Sequence, residues 1–193
     1  MKYFKIMFDD EKSKKEDIVC MAEDNFQEKY GIKQYDLNEG KYFENWDSTF
    51  TFYYDLREGT EPKDLLPNNL GWLLISQKFK NVLNTIEIIG VQYLPVNIIE
   101  KNTGEKLEGF SVLNIISLID ALDLTHSTYT EIEARGQKYL SIIKYALDSE
   151  KLNDFHIFRL ENSKFACFIS QIVKEQLETN KITGCDFLEV KVV

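Results

Sequence analysis

From Trp72 onward the chain alternates short apolar runs with amphipathic ones. WLLI has the length of a buried strand. Ser76 follows as a helix N-cap, and Phe79, Val82, Leu83 and Ile86 fall at i, i+3, i+4 and i+7, one face of a helix. Gly90 closes the connection, and GVQYLPVNII then reads as a strand with Leu94, Val96 and Ile98 on one face. Pro95 has no N–H for a ladder, which predicts an edge position or a bulge there. A turn at Asn102, Thr103 and Gly104 precedes another strand, FSVLNII.

Elsewhere the pattern is less regular. Residues 1 to about 67 carry many charges and aromatics, with loop signals at Gly31, Gly40, Gly59, Pro62 and Pro67 and only short apolar runs between them, and are expected to contain irregular connections. Within them TFTFYYDL predicts a strand, with Phe50, Phe52 and Tyr54 on one face and Thr49, Thr51 and Tyr53 on the other. DLLPNNLG reads as a turn. Downstream, ISLIDALDL predicts a helix or a strand-to-helix transition, a turn-rich stretch follows, and FHIFRL predicts a strand. KYLSIIKYAL (138–147) fits two templates: Leu140, Ile143 and Leu147 suit a helix, whereas its aromatic and β-branched content suits a strand.

The chain repeats itself. LISQKFKNVLNT (74–85) returns as FISQIVKEQLET (168–179), and the register holds without a gap at an offset of 94. Between Ile75 and Ile98, 10 of 24 positions are identical to their counterparts, among them Ser76 with Ser170, Leu83 with Leu177 and Gly90 with Gly184. Each copy reads as strand, Ser-capped helix, glycine, strand, the grammar of a βαβ unit whose crossover is right-handed if its strands are parallel. The predicted class is α+β, mixed sheets with short helices, containing two similar strand-helix-strand units at about 72–99 and 166–193. The whole chain, 1–193, forms one domain or two intimately packed halves, 1–110 and 111–193.

Length and composition agree. With 193 residues, 44% hydrophobic, the chain is long enough to bury a substantial core. Lys plus Arg number 23 against 32 Asp plus Glu, a net charge of −9. That sign repels phosphate backbones and anionic lipid, so nucleic-acid and membrane-surface binding are disfavoured and a basic partner is favoured, although such acidity also serves solubility alone. MKYFKIMFDDEKSKKED offers no apolar stretch of leader length, and no run has the roughly 18–20 apolar residues of a span, so a cytoplasmic location is expected. Cys20, Cys167 and Cys185 are odd in number, widely spaced and without a CxxC pair, which predicts reduced structural thiols.

Candidate chemistry is sparse. Asp120, Asp123 and His126 in DALDLTH form the one close carboxylate and histidine group; on a helix they would share a face and could hold a divalent metal or act as a base in a hydrolase. The alternative is a helix ending in a solvated acidic face. His156 alternates with apolar neighbours and reads as a strand histidine. GxSxG, HExxH, GxxxxGK[ST] and GxGxxG are absent, and Ser76 and Ser170 are explained as repeated caps. Arg159 lies in an otherwise apolar strand, so it requires a carboxylate in a structural ion pair, or else it anchors a partner. Trp72 reads as core; Trp46 could serve core or interface.

Taken together, NNLGWLLISQKFKNVL, GVQYLPVNIIEKNTGEKLEGFSVLNIISLIDALDL, FHIFRL and FISQIVKEQLETNKITGCDFLEVKV resemble the bacterial immunity-protein family of the Myxococcus immunity-domain type, formerly a domain of unknown function. The likeness runs from about Ile18 to Val193. It implies a cytosolic, non-enzymatic protein that binds and neutralises a toxin domain of a polymorphic toxin system, usually encoded beside it. No metal, cofactor or active site comes with the family, and no general set of toxin-contacting residues. From the residues themselves, the acidic clusters Asp9 to Glu11, Glu58 to Glu61 and Asp120 to Asp123 could steer a cationic toxin, and Trp46 and Arg159 are candidate contacts. Glu58, Glu61, Asp120, Asp123, Trp46 and Arg159 are thus the predicted partner-binding residues. An acidic scaffold protein is the remaining alternative.

Overall fold

The computed structural model describes residues 1–9, 16–134, 137–152 and 155–193. It is mixed α+β, 15% helix and 41% strand. In chain order come β1 (Tyr3–Phe8), β2 (Met21–Ala22), α1 (Phe26–Tyr30), β3 (Thr51–Tyr54), β4 (Leu65–Leu66), β5 (Leu74–Ser76) and α2 (Gln77–Leu83). Next are β6 (Val91–Pro95), β7 (Asn97–Glu100), β8 (Phe110–Ile115), β9 (Leu118–Ile119), β10 (Thr128–Ala134), β11 (Gln137–Lys144) and β12 (Ala146–Leu147). The chain closes with β13 (Ile157–Leu160), β14 (Ser163–Ser170), α3 (Gln171–Thr179) and β15 (Cys185–Val192).

Both predicted units form. Ser76 and Ser170 sit at φ −71°, ψ 163° and φ −72°, ψ 162°, and each hydroxyl accepts the N–H three residues on, from Phe79 and Val173. These caps satisfy a donor that the first helical turn would otherwise leave unpaired. Phe79, Val82 and Leu83 are buried on α2, as are Val173 and Leu177 on α3. Lys80 lies 4.6 Å over the Tyr93 ring and Lys174 5.6 Å over that of Phe187, the same arrangement 94 residues apart.

The strands of each unit are parallel but not adjacent. β8 lies between β5 and β6, antiparallel to both, in a sheet of order β4-β5-β8-β6. β1 likewise separates β14 from β15 in a sheet of order β12-β15-β1-β14-β13-β9. One apolar cluster draws on both units, with Ile75, Phe79, Leu83 and Leu113 packed among Phe4, Ile169, Val173 and Leu177. A second, aromatic cluster gathers Phe26, Phe50, Phe52 and Trp72 against a three-stranded sheet, β2-β3-β7. A third covers the other face of the large sheet with Tyr3, Phe158, Phe168 and Leu147.

Several expectations are corrected. YFKIMF, read as part of an irregular segment, is an inner strand of the six-stranded sheet, because its register with Ser170 and Val190 supplies the pairing that its own charged flanks do not advertise. Leu65 and Leu66, read as a turn, form β4 and are fully buried. GVQYLPVNII is two strands: Pro95 ends β6 on a sheet edge, and the chain then joins a different sheet as β7. ISLIDALDL contains no helix; Leu118 and Ile119 pair with β13, and Leu122 bridges Leu147. KYLSIIKYAL resolves to strand, and the stretch before it, read as turns, is the opposing strand of a hairpin, β10–β11. Thr51 is buried beside Phe52, so β3 lacks the clean division of faces its alternation suggests. Among the described residues no helix is long and apolar enough to cross a membrane.

Candidate functional site: a partner-binding surface

The turn between β13 and β14 organises the most exposed apolar surface. Leu160 pairs with Ser163 and Arg159 with Cys167, so Lys164, Phe165 and Ala166 have no register partner on β13 and the strand bulges. Arg159 spans that bulge. Its Nη1 donates to the carbonyl oxygens of Lys164 (2.9 Å) and Phe165 (2.8 Å), replacing the ladder bonds that the bulge removes. The side chain is buried, and burial lowers the guanidinium pKa from its ordinary value. The expected carboxylate partner is absent among the described residues: Arg159 bonds to main-chain oxygens only, and its Nε has no partner. Its first role is to shape the bulge, not to face solvent.

The bulge turns Phe165 outward, 73% exposed, where it meets Tyr35 edge-on at 5.4 Å. Lys164 is held by Glu39 at 2.6 Å. A groove of about 520 Å³ runs here, lined by Tyr35, Tyr139, Glu161, Lys164 and Phe165 among others. Tyr139 belongs to the β10–β11 hairpin, which pairs with no other strand among the described residues. Ile132 and Tyr139 are cross-strand partners, both half exposed, and Ile143 is 60% exposed. A lone two-stranded ribbon gains little from its own pairing, and exposed aromatic and aliphatic side chains of this kind mark interaction surfaces.

The six predicted residues lie on separate elements, and no hydrogen bond, ion pair or ring contact joins any two of them. Asp120 is exposed and pairs with Lys151 (3.1 Å) and Asn162 (3.3 Å), which places it beside the groove that Asn162 also lines. Asp123 turns away: its Oδ1 accepts the N–H of His126 at 2.8 Å and its Oδ2 lies 3.2 Å from His126 Nδ1, contacts that hold its carboxyl below the usual range. The helix on which Asp120, Asp123 and His126 were to share a face does not exist. Among the described residues no three His, Cys, Asp or Glu side chains converge as a metal site would require. Glu58 and Glu61 are exposed on a loop held against residues 16–18 by main-chain bonds. Of the cluster Asp9 to Glu11, Asp10 and Glu11 lie outside the described residues. Trp46 donates from Nε1 to the Pro95 carbonyl at 2.7 Å and stacks on Phe50 at 5.6 Å, so it braces the aromatic cluster while only partly buried itself. Trp72 is core, with its Nε1 on the Gln34 carbonyl.

One serine and histidine pair does form. Ser170 Oγ lies 2.9 Å from His156 Nδ1, but this serine is fully buried and already caps α3, so it offers no accessible nucleophile. The three cysteines are free and buried, and burial pushes their thiols up, to about 12 for Cys20 and Cys185 and about 11 for Cys167. They are structural at neutral pH.

Phe165, Tyr35, Tyr139 and Ile132 are the surface residues that pattern reading missed. Phe165 lies within SKFACFIS, where alternation gives no reason to single it out, because its exposure follows from the bulge. Ile132 was legible only as an isolated apolar residue in TYTEIEA.

The family model described as Immunity protein family (Imm11) matches residues 2–192, nearly the whole chain. A search of the curated proteins found no match. The match extends the resemblance noted in the sequence to the amino-terminal strand, and the chain belongs to the Imm11 immunity protein family.

Proposed function

We propose that this chain neutralises a cognate toxin domain by binding it, as a cytoplasmic inhibitor without turnover of its own, and that the toxin contacts the groove between the β13–β14 bulge and the β10–β11 hairpin. The observation that carries the contact face is Phe165, an aromatic side chain 73% exposed on a backbone held by a buried arginine. Aromatic anchors on rigid supports are what interface hot spots are made of, since little rotamer entropy is lost when they are covered. Tyr35, Tyr139 and Ile132 extend the apolar area, and Glu39, Glu161 and Asp120 give it an acidic margin. The net charge of −9 favours a basic partner and faster encounter.

The test is calorimetry of the full chain against the toxin domain encoded beside it, at two salt concentrations. Tight binding, weakened by salt, supports the reading; no binding overturns it. Phe165→Ala should weaken affinity by about 30-fold or more, the equivalent of about 2 kcal/mol at a hot spot, while leaving thermal stability unchanged because the side chain packs little in the free protein. Equal affinity for Phe165→Ala and Ile132→Ser would move the contact face elsewhere. Neutralising Glu58, Glu61 and Asp120 together should lower the association rate and flatten its salt dependence, and an unchanged rate would exclude acidic steering.

A further inference from the structure

Resting on the inhibitor reading above, we infer that the outer edge of β11 is where the partner docks, by adding an extended segment as a third strand of the β10–β11 ribbon. Among the described residues β10 and β11 pair only with each other, so no strand covers the outer edge of either. In an antiparallel pair alternate residues turn their N–H and C=O groups away from the neighbour, and on an edge those groups are a template for another chain. The groove singles out one of the two edges. Successive strand side chains point to opposite faces, yet Tyr139 and Leu140 both line it, so it meets β11 along an edge and not on one face. No described residue of β10 lines it, and its opposite wall is the β13–β14 turn, Glu161 to Phe165.

A third strand also answers a weakness of the ribbon. Two strands alone are marginal in water, and independent stability takes three or more with an apolar face. Leu140 and Ile142 are half-buried on one face of β11, whereas Tyr139 and Ile143 on the other are 50% and 60% exposed. An added strand would set its own apolar side chains beside those two as cross-strand neighbours. Charge decides whose strand it is. Glu161 is exposed across the groove with no ion pair among the described residues, and the chain as a whole carries −9. A second copy would bring the same negative excess and be repelled, so the occupant is a segment of a different protein in which apolar residues alternate with lysine or arginine. Main-chain bonds then supply affinity, and Glu161 and Phe165 supply selection.

The experiment follows amide hydrogen exchange residue by residue by NMR, in the full-length chain alone and saturated with the toxin domain encoded beside it. Every second amide of β11, rapid in the free chain, should slow by about ten-fold or more in the complex, while the outer amides of β10 keep their rates. Glu161→Gln should weaken affinity several-fold yet leave that pattern intact at saturation, because the protecting bonds are main-chain; unchanged affinity would refute the basic residue. Binding with β11 exchange unaltered, or with all amides of the hairpin slowed alike, would overturn strand addition and leave the inhibitor reading standing. No binding at all would refute both. A dimer of the free chain by light scattering, with the same amides already slow, would put a second copy on the edge and overturn the assignment of a foreign strand.

Discussion

The two helix caps can be weighed against each other, because they share conformation but not surroundings. Ser76 Oγ accepts the Phe79 N–H at 3.1 Å and donates to Asp64 Oδ1 at 2.7 Å. Removing the cap bond costs about 1 kcal/mol. Removing a hydrogen bond to a charged acceptor costs about 1.5–3 kcal/mol when the acceptor is left alone, but Asp64 keeps Thr183 N–H (3.0 Å), Thr183 Oγ1 (3.1 Å) and Lys78, so the lower end or less applies. Ser76→Ala is therefore expected to cost about 2 kcal/mol, a fall in Tm of about 4–8 °C for a chain of this size. At Ser170 the cap bond is longer, 3.4 Å, and the other partner is the half-buried His156 ring, which water can reach, so Ser170→Ala should cost only about 1 kcal/mol. Urea unfolding followed by tryptophan fluorescence measures both, and an unchanged m-value shows that stability alone has moved. Ser76→Thr, which keeps the hydroxyl, should recover most of the loss. The reasoning fails if both alanine variants unfold within about 0.5 kcal/mol of the parent, or if Ser170→Ala proves the costlier, because either result would mean that the observed bonds do not set the energy.

Other positions give sharper contrasts. Gly184 has φ +85° and a Cβ there would lie 2.4 Å from the Leu65 carbonyl oxygen, whereas Gly31 at φ +68° has open space around it. Gly31→Ala should cost about 1–2 kcal/mol, the left-handed strain alone, and Gly184→Ala clearly more. Equal thermal shifts would show that the contact between the Gly184 turn and β4 is not rigid. Burial by itself pushes the Glu100 carboxyl up, but the N–H groups of Thr103, Leu56 and Asn102 and the Asn102 amide bring it down to about 2. The fold thus favours the carboxylate, and the stability it contributes is present above the unfolded value of about 4.3 and lost as pH falls towards 2. Glu100→Gln should flatten the acid limb of the stability curve in that window, and an unaltered slope would refute the assignment. Leu177→Ala opens the cluster shared by both strand-helix-strand units and should cost about 2–5 kcal/mol. If the halves form one domain, it lowers a single transition seen alike by fluorescence and far-ultraviolet circular dichroism; two separated transitions would divide them.

Much of the framework is local and was therefore legible. The capped helices, the strands β8 and β13 and the glycine that ends each connection follow from side chains within a few residues of one another. The segments misread are those whose partners are remote. β1 is flanked by charge and finds its neighbours at Ser170 and Val190. β10 has polar residues on both faces, so no buried face writes a period into TYTEIEA. The contact surface was missed for a related reason: acidity and tryptophan mark candidate positions, but Trp46 is spent on bracing a cluster, Asp123 on holding a turn, and Arg159 on a bulge.

By itself the sequence determined the mixed class, the two strand-helix-strand units with their caps, and a family resemblance carried by its motifs, because hydrophobic period and capping are interactions of near neighbours. Only the tertiary structure decided that a third strand separates the two parallel strands of each unit, that a hairpin unpaired with any other strand among the described residues stands beside the large sheet, and that Phe165 faces outward over a buried arginine with which no carboxylate among those residues pairs. Those outcomes depend on strand register, and register is set by hydrogen bonds between residues far apart in the chain, which no window of local pattern contains.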